Sequence, residues 1–275
     1  MNRPTADVLR DLGGIAGVGA LRSAGVGWRA LTPDRLEHGI GRTPSGLLYL
    51  QGAAWPRLLA REWCGSVGCI TAAGAYGLQV WKRSEAVHIT TLTARTRPSW
   101  PEAPEVVVHR ARERYPLVVP LDVALLQVMR CLSELEALVV VESAVSRRRV
   151  RLEELRRASR GPRADRCRRI LARVDPNSQS LAETLARVAL EDAGFRVRSQ
   201  VLVPGMGRAD LEVDGVLLVE IDGRNYHSGR EDFEEDRRRN NAASRSRRHL
   251  LRIPARWVLN DPQCAVSEVR SWFTA

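Results

Sequence analysis

The sequence predicts an α+β chain, and three observations carry that reading. Short helical periods punctuated by glycine fill the first fifty residues. Helical and strand patterns mix through the middle. The last hundred residues read as helix, three strands, helix, strand, helix, the order of a mixed sheet with helices on its faces. At 275 residues and 44% hydrophobic, the chain can give two or three modest domains real cores.

Thr5–Leu12 reads as a first helix, Val18–Ala24 as a second ended by Gly25, and Trp28–His38 as a third stopped by Gly39. Gly46-Leu-Leu-Tyr-Leu follows a Pro-Ser-Gly turn and reads as a strand, the wing of a winged helix-turn-helix over residues 1–55. Arg29, Arg35, His38 and Arg42 would line the third helix and wing, where phosphates and base edges lie. The plain alternative is a small helical packing domain with a solvated face.

Residues 56–175 are expected to form a middle α/β region with a basic connector. Ile70–Trp81 reads as a buried helix, Ala86–Leu92 and Glu105–His109 as strands, and Pro120–Cys131 and Leu132–Val145 as helices. Arginines crowd residues 147–173, while Leu152, Leu155, Ile170 and Leu171 give that run an apolar side. It suits both a phosphate-tracking surface and a solvated helical connector. Asp175-Pro-Asn-Ser breaks the chain and sets the last boundary.

In residues 176–275, Ser180–Asp192 is an amphipathic helix. Phe195–Val203, Arg208–Val213 and Val216–Asp222 are strands, Glu231–Ser244 a charged helix, His249–Ile253 a fourth strand and Asp261–Phe273 a closing helix. The register at the Asp214-Gly215 turn matters. A two-residue loop puts Asp210 and Glu220 on opposite faces; a three-residue loop puts them on one face, joined by Asp222. A carboxylate ending the apolar run Val216–Val219 is costly to desolvate without a cation. Either a metal or an arginine such as Arg208 or Arg237 would supply one. Glu183 and Arg187, four apart on a helix, suit an ordinary ion pair.

The net charge is +11, carried almost wholly by arginine, with Lys82 the single lysine. That predicts attraction to nucleic acid or an anionic surface. Cys64, Cys69, Cys131, Cys167 and Cys264 form no CxxC pair and are odd in number, so the spacing suggests neither a zinc site nor a disulfide framework. His88 and His109 lack partners at metal-ligand spacing and read as structural. Met1–Leu12 lacks the apolar segment of a signal peptide, and no apolar run reaches a membrane span. A reduced, cytoplasmic protein without membrane contact is expected.

Ser180-x-x-Glu183-x-x-x-Arg187, Gln200-Val, Gly207-Arg-x-Asp210, Val219-Glu220-Ile-Asp222-Gly-x-x-Tyr226-His227 and Asp236-Arg237 together resemble the very-short-patch repair (Vsr)-like branch of the PD-(D/E)XK nuclease superfamily, over about the last hundred residues. The first domain resembles, less specifically, the winged helix of AbiEi-type antitoxins. The resemblance implies a restriction-endonuclease-like C-terminal sheet and Mg²⁺- or Mn²⁺-dependent cleavage of double-stranded DNA. Asp210 and Glu220 would hold the metal with Asp222 beside them, and Glu183 would support it. His227 would move the proton, Arg237 would stabilise the phosphate or pair with Asp222, and Arg208 would contact DNA. The superfamily's lysine position holds Asp222 instead. The alternatives are a non-catalytic, antitoxin-like DNA-binding regulator and an RNA-processing nuclease. A homodimer is compatible with the sequence but not dictated by it.

Overall fold

Apolar residues at helical and alternating spacings close a small core within the first fifty positions. In the computed structural model, which describes residues 3–31, 39–92, 100–161, 163–223, 245 and 248–274, helices α1 (Thr5–Asp11) and α2 (Val18–Ser23) bury Val8, Leu9 and Leu21. These pack with Val26, Leu31, Ile40 and Leu48. Strands β1 (Ile15–Ala16), β2 (Ile40–Arg42) and β3 (Leu48–Leu50) form an antiparallel sheet in the order β1-β3-β2. The β2–β3 turn closes through Gly46 N–H donating to the Thr43 carbonyl at 2.9 Å, with Gly46 at φ +88°. Of the expected third helix, Trp28–Leu31 form a 3-10 turn. Residues 32–38, with Arg35 and His38, lie outside the described residues.

The chain divides into two compact units, Met1–Gly77 with Arg83–Cys131, and Leu78–Lys82 with Leu132–Ala275. The first adds α3 (Trp55–Glu62), β4 (Ser66–Val67), α4 (Cys69–Ala75), β5 (Val87–Thr91), β6 (Val106–Arg110) and α5 (Leu121–Cys131). Its second sheet runs β4-β5-β6, with β5 and β6 parallel. Glu62 of α3 is buried and accepts from the Ser45 amide (2.9 Å) and hydroxyl (2.6 Å), tying the β2–β3 turn to α3. Helix α4 stops well short of the expected Trp81. Gly77, at φ +68°, donates its N–H to the Gly74 carbonyl and turns the chain.

The second unit begins with α6 (Glu134–Ser146), whose start is fixed by a Ser133/Glu136 capping box and whose residues 137–145 are all buried. Helices α7 (Leu152–Ala158) and α8 (Ala164–Ala172) follow, then α9 (Leu181–Asp192), β7 (Val197–Val203), β8 (Gly207–Val213), β9 (Leu217–Asp222), β10 (His249–Pro254), α10 (Ala255–Asn260) and α11 (Gln263–Thr274). The sheet order is β10-β9-β8-β7. Strands β7, β8 and β9 form an antiparallel meander, and β10 lies parallel to β9. One face packs Leu211, Val213, Leu217, Val219, Ile221 and Ile253 against Leu185, Ala186, Ala189 and Leu190 of α9 and against α10 and α11. The sequence reading grouped residues 132–175 with the middle region, whereas α6, α7 and α8 belong to the second unit. Among the described residues, no helix is long and apolar enough to cross a membrane.

A buried ion pair joins α6 to α9. Glu142, 1% exposed, takes Arg187 at 2.7 Å, the Thr184 hydroxyl at 2.6 Å and the Asp175 amide at 2.7 Å. Arg187 also reaches Glu191 at 3.0 Å. The expected Glu183–Arg187 pairing is therefore replaced: Arg187 turns to Glu142 and Glu191.

Candidate active site

The β8–β9 hairpin sets the positions of the acidic residues. Val213 pairs with Leu217 and Leu211 with Val219, so the loop has three residues, Asp214 to Val216. Asp214 (φ +51°) and Gly215 (φ +78°) both take left-handed backbone, and Val216 N–H closes on the Val213 carbonyl at 3.2 Å. This is the register that a shared carboxylate site requires, with Asp210 opposite Glu220. Across β7–β8, Ser199 pairs with Leu211 and Val201 with Ala209, which sets Gln200 opposite Asp210. Across β9–β10, Glu220 pairs with Arg252. One row of side chains, Gln200–Asp210–Glu220–Arg252, thus crosses all four strands.

The row is distorted where the acids sit. Gln200, a non-glycine, has φ +55°. The β8–β9 ladder runs through Val213, Glu212 and Leu211. Where its next rung would fall, the Ile221 amide donates to the Asp210 carboxylate at 2.8 Å. A side chain thus takes a main-chain donor and parts the two strands around itself.

Helix α9 brings the second acid. Ser180 caps the helix by accepting from the Glu183 amide at 3.2 Å, which fixes Glu183 in the first turn. The Glu183 carboxylate is buried and accepts from the Gln179 amide (3.1 Å) and from Gln200 Nε2 (2.9 Å). Burial, and then the negative charge of Asp210, push its pKa above the ordinary carboxylate range. Glu183 and Asp210 are thus neighbouring acids, and the charge of Asp210 disfavours ionisation of Glu183.

Glu220 is mostly buried and paired with Arg252 at 3.2 Å. That arginine, on the parallel strand β10, adds to the candidates Arg208 and Arg237 that the sequence offers as partners. Asp222 is exposed at the end of β9, in register with Pro254. Arg208 is exposed on β8, opposite Leu202. His227 and Arg237 lie outside the described residues. Sequence reasoning passed over Glu212, which is 1% exposed and flanked by Arg248 at 3.1 Å and Arg198 at 3.4 Å. Its cations come from β7 and from the residue just before β10, and no local spacing announces them.

In the first unit, Arg29 and Arg42 are exposed, and Arg42 donates to the Leu31 carbonyl at 3.2 Å, bracing the 3-10 turn against β2. The basic run of the second unit spends several arginines on local acids: Arg156 on Glu153, Arg168 on Asp165, Arg169 on Glu134 and Arg173 on Asp192. Leu155, Ile170 and Leu171 are buried beneath them.

The fold brings together residues that lie far apart in the sequence: His88 and His109 gather with Cys69 and Cys131, and one ligand atom of each lies within 4.8 Å of the others. A hydrogen bond with Cys131 and burial push the Cys69 thiol pKa upward. Burial, then His88, pull His109 down to about 4, and burial lowers His88. Local spacing missed this group because each ligand comes from a different element.

Comparison with protein-family models gives no match to this chain, and comparison with curated proteins gives none either.

Proposed function

We propose that the second unit is a metal-dependent DNA endonuclease domain. The observation that carries this reading is the convergence of Asp210 and Glu183 where β8 and β9 part, in line with Glu220. Two adjoining acids, one of them buried, form a hard oxygen donor set suited to Mg²⁺ or Mn²⁺. Burial and then the Asp210 charge raise the Glu183 pKa, and such an ion would offset the second. Asp210, Glu183 and Glu220 would hold it, with Asp222 at the exposed rim. The ion supplies Lewis-acid polarisation of a phosphodiester and a bound water of lowered pKa.

The chain's own residues do the rest. Asp210 is aligned by the Ile221 amide, and Glu183 by Gln179 and Gln200, so both carboxylates are held before substrate arrives. Arg252 supplies positive charge to the row at Glu220, while Asp222 occupies the superfamily's lysine position. His227 takes the proton-transfer role on sequence grounds alone, its ordinary pKa range suiting acid–base work. Arg237 likewise keeps its phosphate role on sequence alone. The order helix, strand, helix, 3-10 turn, strand, strand in the first fifty residues supports the winged-helix reading. It would present Arg29 and Arg42 to duplex DNA, with net charge +11 favouring association. The mixed sheet with α9 on one face supports the restriction-endonuclease-like reading of the second unit.

The Glu220–Arg252 ion pair favours the second reading, a DNA-binding regulator in which arginine has taken the metal's place. Incubation of the full chain with supercoiled plasmid and Mg²⁺ or Mn²⁺ separates the two. Nicked or linear product that disappears with EDTA and in Asp210→Ala supports the nuclease. Plasmid left intact by a protein that still shifts it in a gel supports the regulator.

A further inference from the structure

We propose that Cys69, His88, His109 and Cys131 of the first unit hold a structural Zn²⁺ ion in a tetrahedral two-sulfur, two-nitrogen site. Two thiols and two imidazoles are the borderline-soft donor set that selects zinc over the hard cations suited to carboxylates. Metal–ligand distances of about 2.0–2.3 Å imply ligand-to-ligand edges of about 3.3–3.8 Å around a tetrahedral zinc. His88 Nδ1 stands 3.0 Å from His109 Nε2 and 4.0 Å from Cys131 Sγ, and all four ligand atoms fall within 4.8 Å. Closing onto an ion asks for shifts of a few tenths of an ångström to about an ångström, within the reach of side-chain rotation.

The surroundings prepare each ligand. His88 and His109 sit two rungs apart on the same face of the parallel β5–β6 pair, their rings stacked at 5.3 Å. The Ser84 hydroxyl donates to the Ala86 carbonyl at 2.9 Å, so its oxygen is left to accept from His88 Nε2–H at 3.3 Å. That bond keeps the proton on Nε2 and turns the bare Nδ1 lone pair toward the cluster, the outer-shell arrangement that metal-bound histidines use.

Cys69 opens α4 with φ +49°, a left-handed conformation that costs a non-glycine residue about 1–2 kcal/mol. Its amide is anchored by Gln127 Oε1 at 2.9 Å. A side chain at the preceding Gly68 would come within 2.1 Å of Thr90 Oγ1, so the backbone is pressed tightly against β5 at this point. Strain held in place by packing is a mark of functional sites. Here it aims a buried sulfur at two imidazoles. Cys131 closes the set from the last residue of α5, which packs on α4. The ion would therefore tie α4 and α5 to β5 and β6, adding to the Thr71 and Gln127 hydrogen bonds that link both helices to β5.

The full chain, purified without chelator and under reducing conditions, tests this. Elemental analysis should find one zinc per chain. Exchange with Co²⁺ should give the intense visible bands of tetrahedral cobalt together with thiolate-to-metal charge transfer. Cys131→Ser and His109→Ala should lose those bands or weaken metal affinity at least tenfold. Ser84→Ala, which removes the outer-shell acceptor, should weaken it by about 10–100-fold. Cys64→Ser, an exposed cysteine outside the group, should leave the bands unchanged, as should Asp210→Asn in the other unit. Reduced wild-type protein that neither retains zinc nor develops cobalt bands would overturn the proposal. So would bands that survive Cys131→Ser with undiminished cobalt affinity, or a Cys69–Cys131 disulfide in protein that stays metal-free after reduction.

Discussion

Helix α9 carries two buried polar clusters one turn apart, and they are built to opposite plans. Around Arg187, charges and donors balance: Glu142 receives a guanidinium, a hydroxyl and a backbone amide, and the arginine's other arm meets Glu191. Around Glu183, acids accumulate. Its neighbour is Asp210 and its donors Gln179 and Gln200 are neutral; burial raises its pKa as it does that of Glu142, but here the neighbouring charge raises it further, where at Glu142 the arginine pulls it down. A closed network of the first kind holds elements together. One of the second kind gathers hard oxygen donors, the set that the proposed cation would need. The same helix thus braces the fold at one turn and builds the site at the next.

The contrast predicts different failures. Glu142→Ala removes the buried partner of Arg187, leaves it with Glu191, and should cost about 3 kcal/mol of unfolding free energy in a denaturant titration. A loss below about 1 kcal/mol would mean that the network is dispensable. Glu183→Gln should leave stability within about 1 kcal/mol of wild type while weakening Mn²⁺ binding about 10–100-fold. If it unfolds the chain as Glu142→Ala does, the two clusters are alike and the comparison fails.

The site also depends on a turn that the brace does not use. Gly215→Ala puts a side chain at φ +78° and should cost about 1–2 kcal/mol. It should lower Mn²⁺ affinity by loosening the register that sets Asp210 opposite Glu220. The smallest effect is in pH. With its folded pKa raised, Glu183 contributes most to stability when protonated, below its unfolded pKa, and that contribution is lost as pH rises through the folded value. A bound cation favours the ionised form. The rise in Tm produced by Mn²⁺ should therefore grow as pH climbs through that window, and Asp210→Asn should flatten the growth.

Much of this was legible in the sequence, for reasons particular residues show. The meander from Val197 to Asp222 follows from alternating apolar residues and the Asp214-Gly215 turn, while the loop length, and with it the register, was open until the strands paired. Helix α9 follows from its Ser180 cap and apolar stripe. Glu183, Asp210 and Glu220 were nameable because they lie on these well-patterned elements. What stayed hidden was set by tertiary neighbours. Arg252 reaches Glu220 only because β10 adds parallel to β9. Glu142 meets Arg187 across 45 residues. Cys69, His88, His109 and Cys131 share no short spacing, since each ligand stands alone on its element. The two-residue strands β1 and β4 are too short to show any alternation.

The central claim is that a divalent cation binds where Asp210 and Glu183 meet. Isothermal titration of Mn²⁺ into the wild-type chain and into Asp210→Asn, with circular dichroism confirming that both are folded, tests it most directly. The account predicts a saturable binding isotherm for the wild type that is lost in the variant. Equal binding by both proteins, or none by either, would contradict it.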